Sequence, residues 1–425
     1  MNEKYGLSKG ETGSAHFRSG IVVLMALAIF INYVDRGNLA TAAPLIKADF
    51  QLSNTQYGTL VSAFFWVYVP GQIVAAWFVQ RINAYRTLSL GLALWAAATI
   101  ATGFASGFAM LLMLRVLLGL GESAGFPASS KLLAQHLPPE RLGVANALVV
   151  SGVFCGPAVG TLAGGLFIAV AGWRLLFIVF GAISLLWLAP WVMRTRALAT
   201  KAQSSTRVPE PRFRELLAKR ELWGASLGHF CANYPFYLVL SWLPLYLVRS
   251  QGYSLAAMAG LGGAVYALSA AICCGAAWLV DRQIARGADP CRVRITIIAS
   301  SQVIAFLCMM ACALGNTHIA IAGLLLSSVA FGLCSFNLYT IGQMLAGPRA
   351  AGKWIGIQNA IGNVPGIVAP IVTGALIDWT GRYQAAFLVA GVMAIVGACC
   401  WLFVVRRAAP LKWSGAAPLP AATAH

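Results

Sequence analysis

The chain has 425 residues, of which 59% are hydrophobic and 10% charged, with mean hydropathy +0.76 and net charge +18. A soluble domain carries about 25% charged residues, so a soluble enzyme or a nucleic-acid-binding domain is excluded by composition. Apolar runs of about 20 residues, long enough to cross a bilayer as helix, recur from end to end.

Twelve such runs are predicted: 19–40, 56–79, 87–107, 109–134, 142–170, 173–193, 222–248, 254–280, 293–315, 318–345, 353–378 and 383–405. They are continuously apolar and do not alternate, which favours helices over barrel strands. The fold class is therefore an all-α membrane protein with twelve transmembrane helices. The first run is too long for a signal-peptide core and is read as retained. Lys and Arg concentrate in the N-terminal tail, the even-numbered loops and the C-terminal tail. Lys47, Arg174, Arg249 and Arg382 fall on the other side. The positive-inside rule then puts both termini in the cytoplasm, and the +18 charge reflects topology. No nucleic-acid partner is expected; a lipid bilayer is. The ten cysteines read as small packing residues, without metal-ligand spacing. There is no N-x-[ST] sequon, which favours a bacterial source and its inner membrane.

The long polar break is 194–221, with eight Lys/Arg and three Glu. It divides the chain into an N-terminal tail (1–18), a six-helix bundle (19–193), a central cytoplasmic loop (194–221), a second bundle (222–405) and a C-terminal tail (406–425). The halves repeat. "AAWFVQR" (75–81) recurs as "AAWLVDR" (276–282). Gly143, Asn146, Ala147 and Pro157 recur 213 residues later as Gly356, Asn359, Ala360 and Pro370. Gly172 to Gly181 is similar to Gly381 to Gly391. Three matches in the same order indicate an internal duplication.

Four charges lie well inside spans: Asp35, Arg36, Arg115 and Glu122. A buried ion costs about 2.5–3.5 kcal/mol on the insertion scale, so each calls for a partner or a function. Arg115 and Glu122 are seven residues apart, which places them on one helix face about 10 Å apart. Asp35 and Arg36 differ by about 100° and cannot both face one cavity. One reading is a structural ion-pair network, such as Asp35 with Arg115. The other separates roles: Arg36 offers a planar fork for a carboxylate, and Asp35 and Glu122 are carboxyl groups able to exchange protons. Tyr33 sits three residues before Arg36, and Tyr68 and Gln72 are four apart in the second span. Pro70 between them is expected to kink that helix. Their alternatives are interhelical hydrogen bonds. The second half offers neutral candidates: Asn233, Tyr234, Tyr237, Tyr339, Asn359 and Asn363. His229, near the start of span seven, reads more simply as solvated or hydrogen-bonded. Gly119, Gly121 and Gly125 read as close-packing positions.

Two parallel six-helix halves are the architecture of major facilitator transporters. "NYVDRGNLATAAPLI", "RVLLGLGESAGFPASSKL", "GWRLLFIVFG", "FCANYPFYLVLSWLPLYL" and "GNVPGIVAPIVTGALIDWTGRY" make the chain resemble the anion:cation symporter family of that superfamily. The family includes carriers for galactonate, hexuronates, glucarate and phthalate. The resemblance implies that Asp35 and Glu122 couple protons. It implies that Tyr33, Arg36, Tyr68, Arg115 and Asn359 contact substrate, with Tyr339 beside them; Gln72 and Asn363 join them on residue type and spacing alone. It further implies proton-coupled symport of an organic anion, a sugar acid first and an aromatic carboxylate second. The energy source would be the proton gradient with no cofactor, and the unit a monomer. An exporter of the same fold and a non-transporting sensor are the rivals. The sequence departs from the superfamily pattern at Gln80, where an aspartate is expected; the second-half copy keeps Asp281-Arg282.

Overall fold

The computed structural model describes residues 9–52, 54–138, 141–204, 211–253, 255–406 and 409–413. Residues 1–8 of the N-terminal tail, 205–210 of the central loop and 407–408 and 414–425 of the C-terminal tail lie outside the described residues.

The described residues form fourteen α-helices and no strand. They are α1 (Lys9–Phe50), α2 (Asn54–Arg81), α3 (Ala84–Thr102), α4 (Phe108–Glu122), α5 (Gly125–His136), α6 (Leu142–Leu186) and α7 (Leu188–Ser204). After them come α8 (Phe213–Leu217), α9 (Arg220–Leu245), α10 (Leu255–Ala285), α11 (Pro290–Leu314), α12 (Thr317–Asn363), α13 (Pro365–Thr380) and α14 (Gln384–Cys399). Side-chain caps start several of them. Asn83 accepts from Arg86 N, Asp289 from Cys291 N and Asn316 from Ile319 N. Each satisfies one donor that a helix start would otherwise orphan.

Nine described helical stretches are long and apolar enough to cross a membrane. The longest, Thr317–Ile377, folds back at Gly347, whose φ of 67° suits only glycine without strain. It therefore holds two passes. α3 and α9 complete the twelve predicted spans. α9 is less apolar than the others because it carries His229, Asn233 and two tyrosines. Gly172, φ 75°, makes the corresponding turn within α6. The chain is thus an all-helical twelve-pass membrane protein.

Two details differ from the sequence expectation. The polar break is partly helical, because α7 runs out to Ser204 on a stretch of good helix formers, Ala197, Ala199, Lys201 and Ala202 among them, and α8 follows. The fourth span is two helices, with the break at Ser123–Ala124 placing Glu122 at the end of α4. A matching break after Asn363 separates α12 from α13.

The two sets of helices meet where α2, α5 and α6 pack against α10 and α12. Small residues allow this. A Cβ on Gly356 would lie 2.9 Å from Gln72 O, and one on Gly352 3.0 Å from Val79. Gly121 packs the same way on α3, 2.6 Å from Trp95 N. Polar bonds then hold the seam. Asp281 accepts from Arg294 Nη2 at 2.6 Å and from Val144 N, in the first turn of α6, at 2.7 Å. Lys131 Nζ donates to Arg349 O at 3.1 Å. Asn146 and Gln343 exchange amide hydrogen bonds at 2.7 and 3.1 Å. Lys131 and Arg294 are buried charges near span ends that the sequence reading did not single out. The tail adds a strap: Leu411 N donates to Leu345 O, and the buried Trp413 donates to Ala346 O. The end of the molecule bearing these contacts is closed.

Candidate functional site

The site grows from α1. Tyr33 and Arg36 lie one turn apart, so both reach the interior. The Arg36 guanidinium carbon sits 4.3 Å from the centre of the Tyr33 ring, 4.5 Å from Phe64 and 4.7 Å from Tyr68. Phe64 and Tyr68 are one turn apart on α2 and stack at 4.9 Å. Three rings therefore cradle one cation. Arg36 Nε donates to Glu122 Oε2 at 2.8 Å, with the Glu122 side chain fully buried. Arg36 Nη2 and Glu122 Oε1 are buried and make no hydrogen bond. The pair is thus half satisfied, and Arg36 keeps a donor edge for another acceptor.

This changes the expected pairing. The hydrogen-bonded ion pair is Arg36 with Glu122, and Asp35 is not hydrogen-bonded to Arg115. Asp35 is 2% exposed, and neither carboxylate oxygen makes a hydrogen bond. The 100° step from Arg36 turns it to another side of α1. Arg115 lies on α4 with its guanidinium 5.6 Å from the Phe64 ring, so the two arginines share that ring.

The second half contributes amides and phenols. Tyr339 Oη donates to Asn359 Oδ1 at 3.0 Å. Asn359 Nδ2 donates to Gln72 Oε1, across the two halves. Asn363 Nδ2 donates to Asn359 O and Oδ1 at 2.7 and 3.0 Å, and Tyr237 Oη donates to Asn363 Oδ1 at 2.7 Å. Asn233 Nδ2 donates to Gly362 O at 2.6 Å. These groups therefore form one interhelical ladder.

Beside this ladder lies a cavity of about 60 Å³. Tyr33, Tyr339 and Asn363 line it, together with Asn233 and Tyr237. Arg36, Tyr68, Gln72, Arg115, Glu122, Asp35 and Asn359 are not on its wall. The rest of the lining is largely aromatic, with Phe126, Phe154, Phe236 and Phe331, and Phe126 stacks on Tyr339 at 4.7 Å. That volume holds a handful of water molecules. A six-carbon acid enters only if the halves part.

His229 also lines the cavity, which corrects the sequence expectation. α9 begins at Arg220, so His229 lies nine residues in, about 14 Å along the helix. It is 1% exposed, and its Nδ1 makes no hydrogen bond. Phe126 and Phe236 were missed as well. Aromatic residues in apolar spans carry no sequence signal that separates cavity from lipid.

A sequence model of the Major Facilitator Superfamily matches residues 25–370. The chain is 29% identical to the probable sulfoacetate transporter SauU of Cupriavidus necator, over 91% of this chain and 94% of that protein. It is 28% identical to the hexuronate transporter of Bacillus subtilis, over 92% and 94%. Its fold superposes on the proton:xylose symporter XylE with a TM-score of 0.75 at 14% identity, covering 93% of this chain and 97% of that one. The chain belongs to the Major Facilitator Superfamily.

Proposed function

We propose that the protein is a proton-coupled symporter that imports an organic anion, with a sugar acid as the foremost substrate class. It works as a monomer in the bacterial inner membrane, with both termini cytoplasmic. One observation carries this reading: a partly buried arginine, cradled by three rings, is held by a single carboxylate and keeps an unused donor edge. The relatives named for hexuronate, sulfoacetate and glucarate transport support an anion.

The cycle follows from charge. With Glu122 ionised, Arg36 is occupied. Protonation of Glu122 removes the charge that holds Arg36, and the guanidinium turns its fork to the substrate carboxylate. Asp35, buried without a hydrogen bond, is the second proton site. The anion and protons then cross together as the halves rock, and deprotonation on the cytoplasmic side restores the Arg36–Glu122 pair. The driving force is the proton gradient, and no cofactor takes part. An exporter of cationic compounds is disfavoured by the arginine at the centre of the site.

Aromatic carboxylates are the second reading, favoured by the four phenylalanines on the cavity wall. The test is uptake by proteoliposomes of labelled D-glucuronate, D-galactonate, D-glucarate, sulfoacetate and phthalate, with and without an inward proton gradient. Gradient-driven accumulation of one acid supports the proposal. Movement of cations alone, or anion movement indifferent to the gradient, overturns it.

A further inference from the structure

The cavity wall holds a histidine that the proposed cycle does not use. The atoms of His229 nearest Gly362 are Cγ, Cδ2 and Nδ1. Gly362 thus packs over the ring face near Cγ, Nδ1 is buried without a hydrogen bond, and the ring lines the cavity. Tyr339 meets it at right angles, 5.8 Å between centres, and fixes the ring plane. A neutral imidazole carries one proton, on either nitrogen. On Nδ1 that proton would be an orphaned buried donor. A buried donor without a partner is costly and rare. The proton therefore belongs on Nε2.

The neighbouring polar groups are already engaged. Asn233 donates to Gly362 O, Tyr237 to Asn363, Tyr339 to Asn359 and Ser335 to Phe331 O. His229 makes no hydrogen bond to any described residue, although it is 1% exposed. A buried polar group needs a hydrogen-bond partner, and for Nε2–H the acceptor reaches it through the cavity.

We infer that His229 is a substrate-binding residue: its Nε2–H donates to an oxygen on the tail of the bound anion, while Arg36 holds the carboxylate. The tail oxygen is a hydroxyl or a second acidic oxygen. His229 then selects acids with oxygen-bearing tails over acids of similar shape with apolar tails. This rests on the anion-transport reading above.

The test uses purified full-length protein and two matched pairs of probes, D-glucuronate with cyclohexanecarboxylate and 4-hydroxybenzoate with benzoate, titrated by tryptophan fluorescence. Wild type is expected to favour the hydroxylated member of the pair it binds. His229→Leu should lose about ten-fold in affinity for that member and leave its apolar twin unchanged. His229→Gln, which keeps a donor, should restore most of the preference. An unchanged preference in His229→Leu, or an equal loss for both twins, overturns the assignment of His229 and leaves the anion reading standing. If wild type binds none of the four, the acid identified by uptake and its analogue without the tail oxygens replace them; if no acid binds or moves, the anion reading falls and takes this inference with it. Should His229→Leu fail to fold, wild type labelled with 15N-histidine decides. The His229 Nε2 resonance, assigned by its absence from the His229→Gln spectrum, must move on adding the bound acid; no movement at saturation refutes the contact.

Discussion

Glu122→Gln isolates the step on which the proposed cycle depends. Glutamine keeps the shape and an acceptor oxygen but removes the charge that meets Arg36 Nε at 2.8 Å. A hydrogen bond to a charged partner contributes about 1.5–3 kcal/mol and a neutral one about 0.5–1.5. The hold on Arg36 therefore weakens by about 1–2 kcal/mol. Arg36 stays ordered, because the three rings within 4.7 Å retain about 0.5–1 kcal/mol each. At pH 8, where the wild-type carboxylate competes with substrate, the variant should bind the transported acid about 5- to 30-fold more tightly. The sign with pH follows: substrate binding favours protonated Glu122, so wild-type affinity falls as pH rises, and the variant loses that slope. Titration of D-glucuronate, or of the acid identified by uptake, at pH 6 and pH 8 measures both effects. In proteoliposomes the variant should keep exchange and lose gradient-driven accumulation. Weaker binding than wild type at pH 8, or an intact pH slope, would refute the role given to the pair.

Three further outcomes are expected. Asp281→Asn leaves Arg294, fully buried, without its counter-charge; breaking such a pair costs about 3–5 kcal/mol, and denaturation midpoints should fall while spin-label distances across the closed end lengthen. Gly356→Leu places a side chain against Ala76 and Gln72 O, so the halves cannot seal there; transport should cease, with the same distances locked long and the helical spectrum unchanged. Asn359→Ala strips Gln72 and Tyr339 of their shared partner and leaves buried amide atoms unmade, at about 1–3 kcal/mol, read as a loss of thermal stability in detergent.

Much of the fold was legible because it rests on composition along the chain. Runs of about 20 apolar residues announce helices in a membrane, and the repeat of Gly143 and Asn146 as Gly356 and Asn359 announces two related halves. The identity of the partners was less legible. Helical periodicity says which residues share a face of one helix and is silent on which neighbour that face meets. Arg36 was singled out correctly as a charge needing a partner, yet nothing in sequence spacing selects Glu122 over Asp35 to satisfy it. His229 was misread for a similar reason: its depth depends on α9 starting at Arg220, within a stretch rich in Arg, Lys and Glu. The asparagines at the repeated positions behave alike in a way no pattern revealed. Asn146 bonds Gln343 and Asn359 bonds Gln72, so each reaches a glutamine of the opposite half.

The placement of charge in this molecule also bears on how binding could drive motion. Arg36, Glu122, Asp35 and Arg115 all belong to the first half, whereas Asn359, Asn363, Tyr237 and Tyr339 of the second are neutral. On the proposed cycle, a proton arriving at Glu122 alters bonding within one half and strands no charge at the seam. The amide bond from Gln72 to Asn359 is indifferent to that proton. A substrate that spans from Arg36 on α1 to His229 on α9 is not: it ties the charged half to the neutral one. The free energy available for closure is then the difference between a bridged and an unbridged pair of halves. A ligand held by Arg36 alone would bind without moving them.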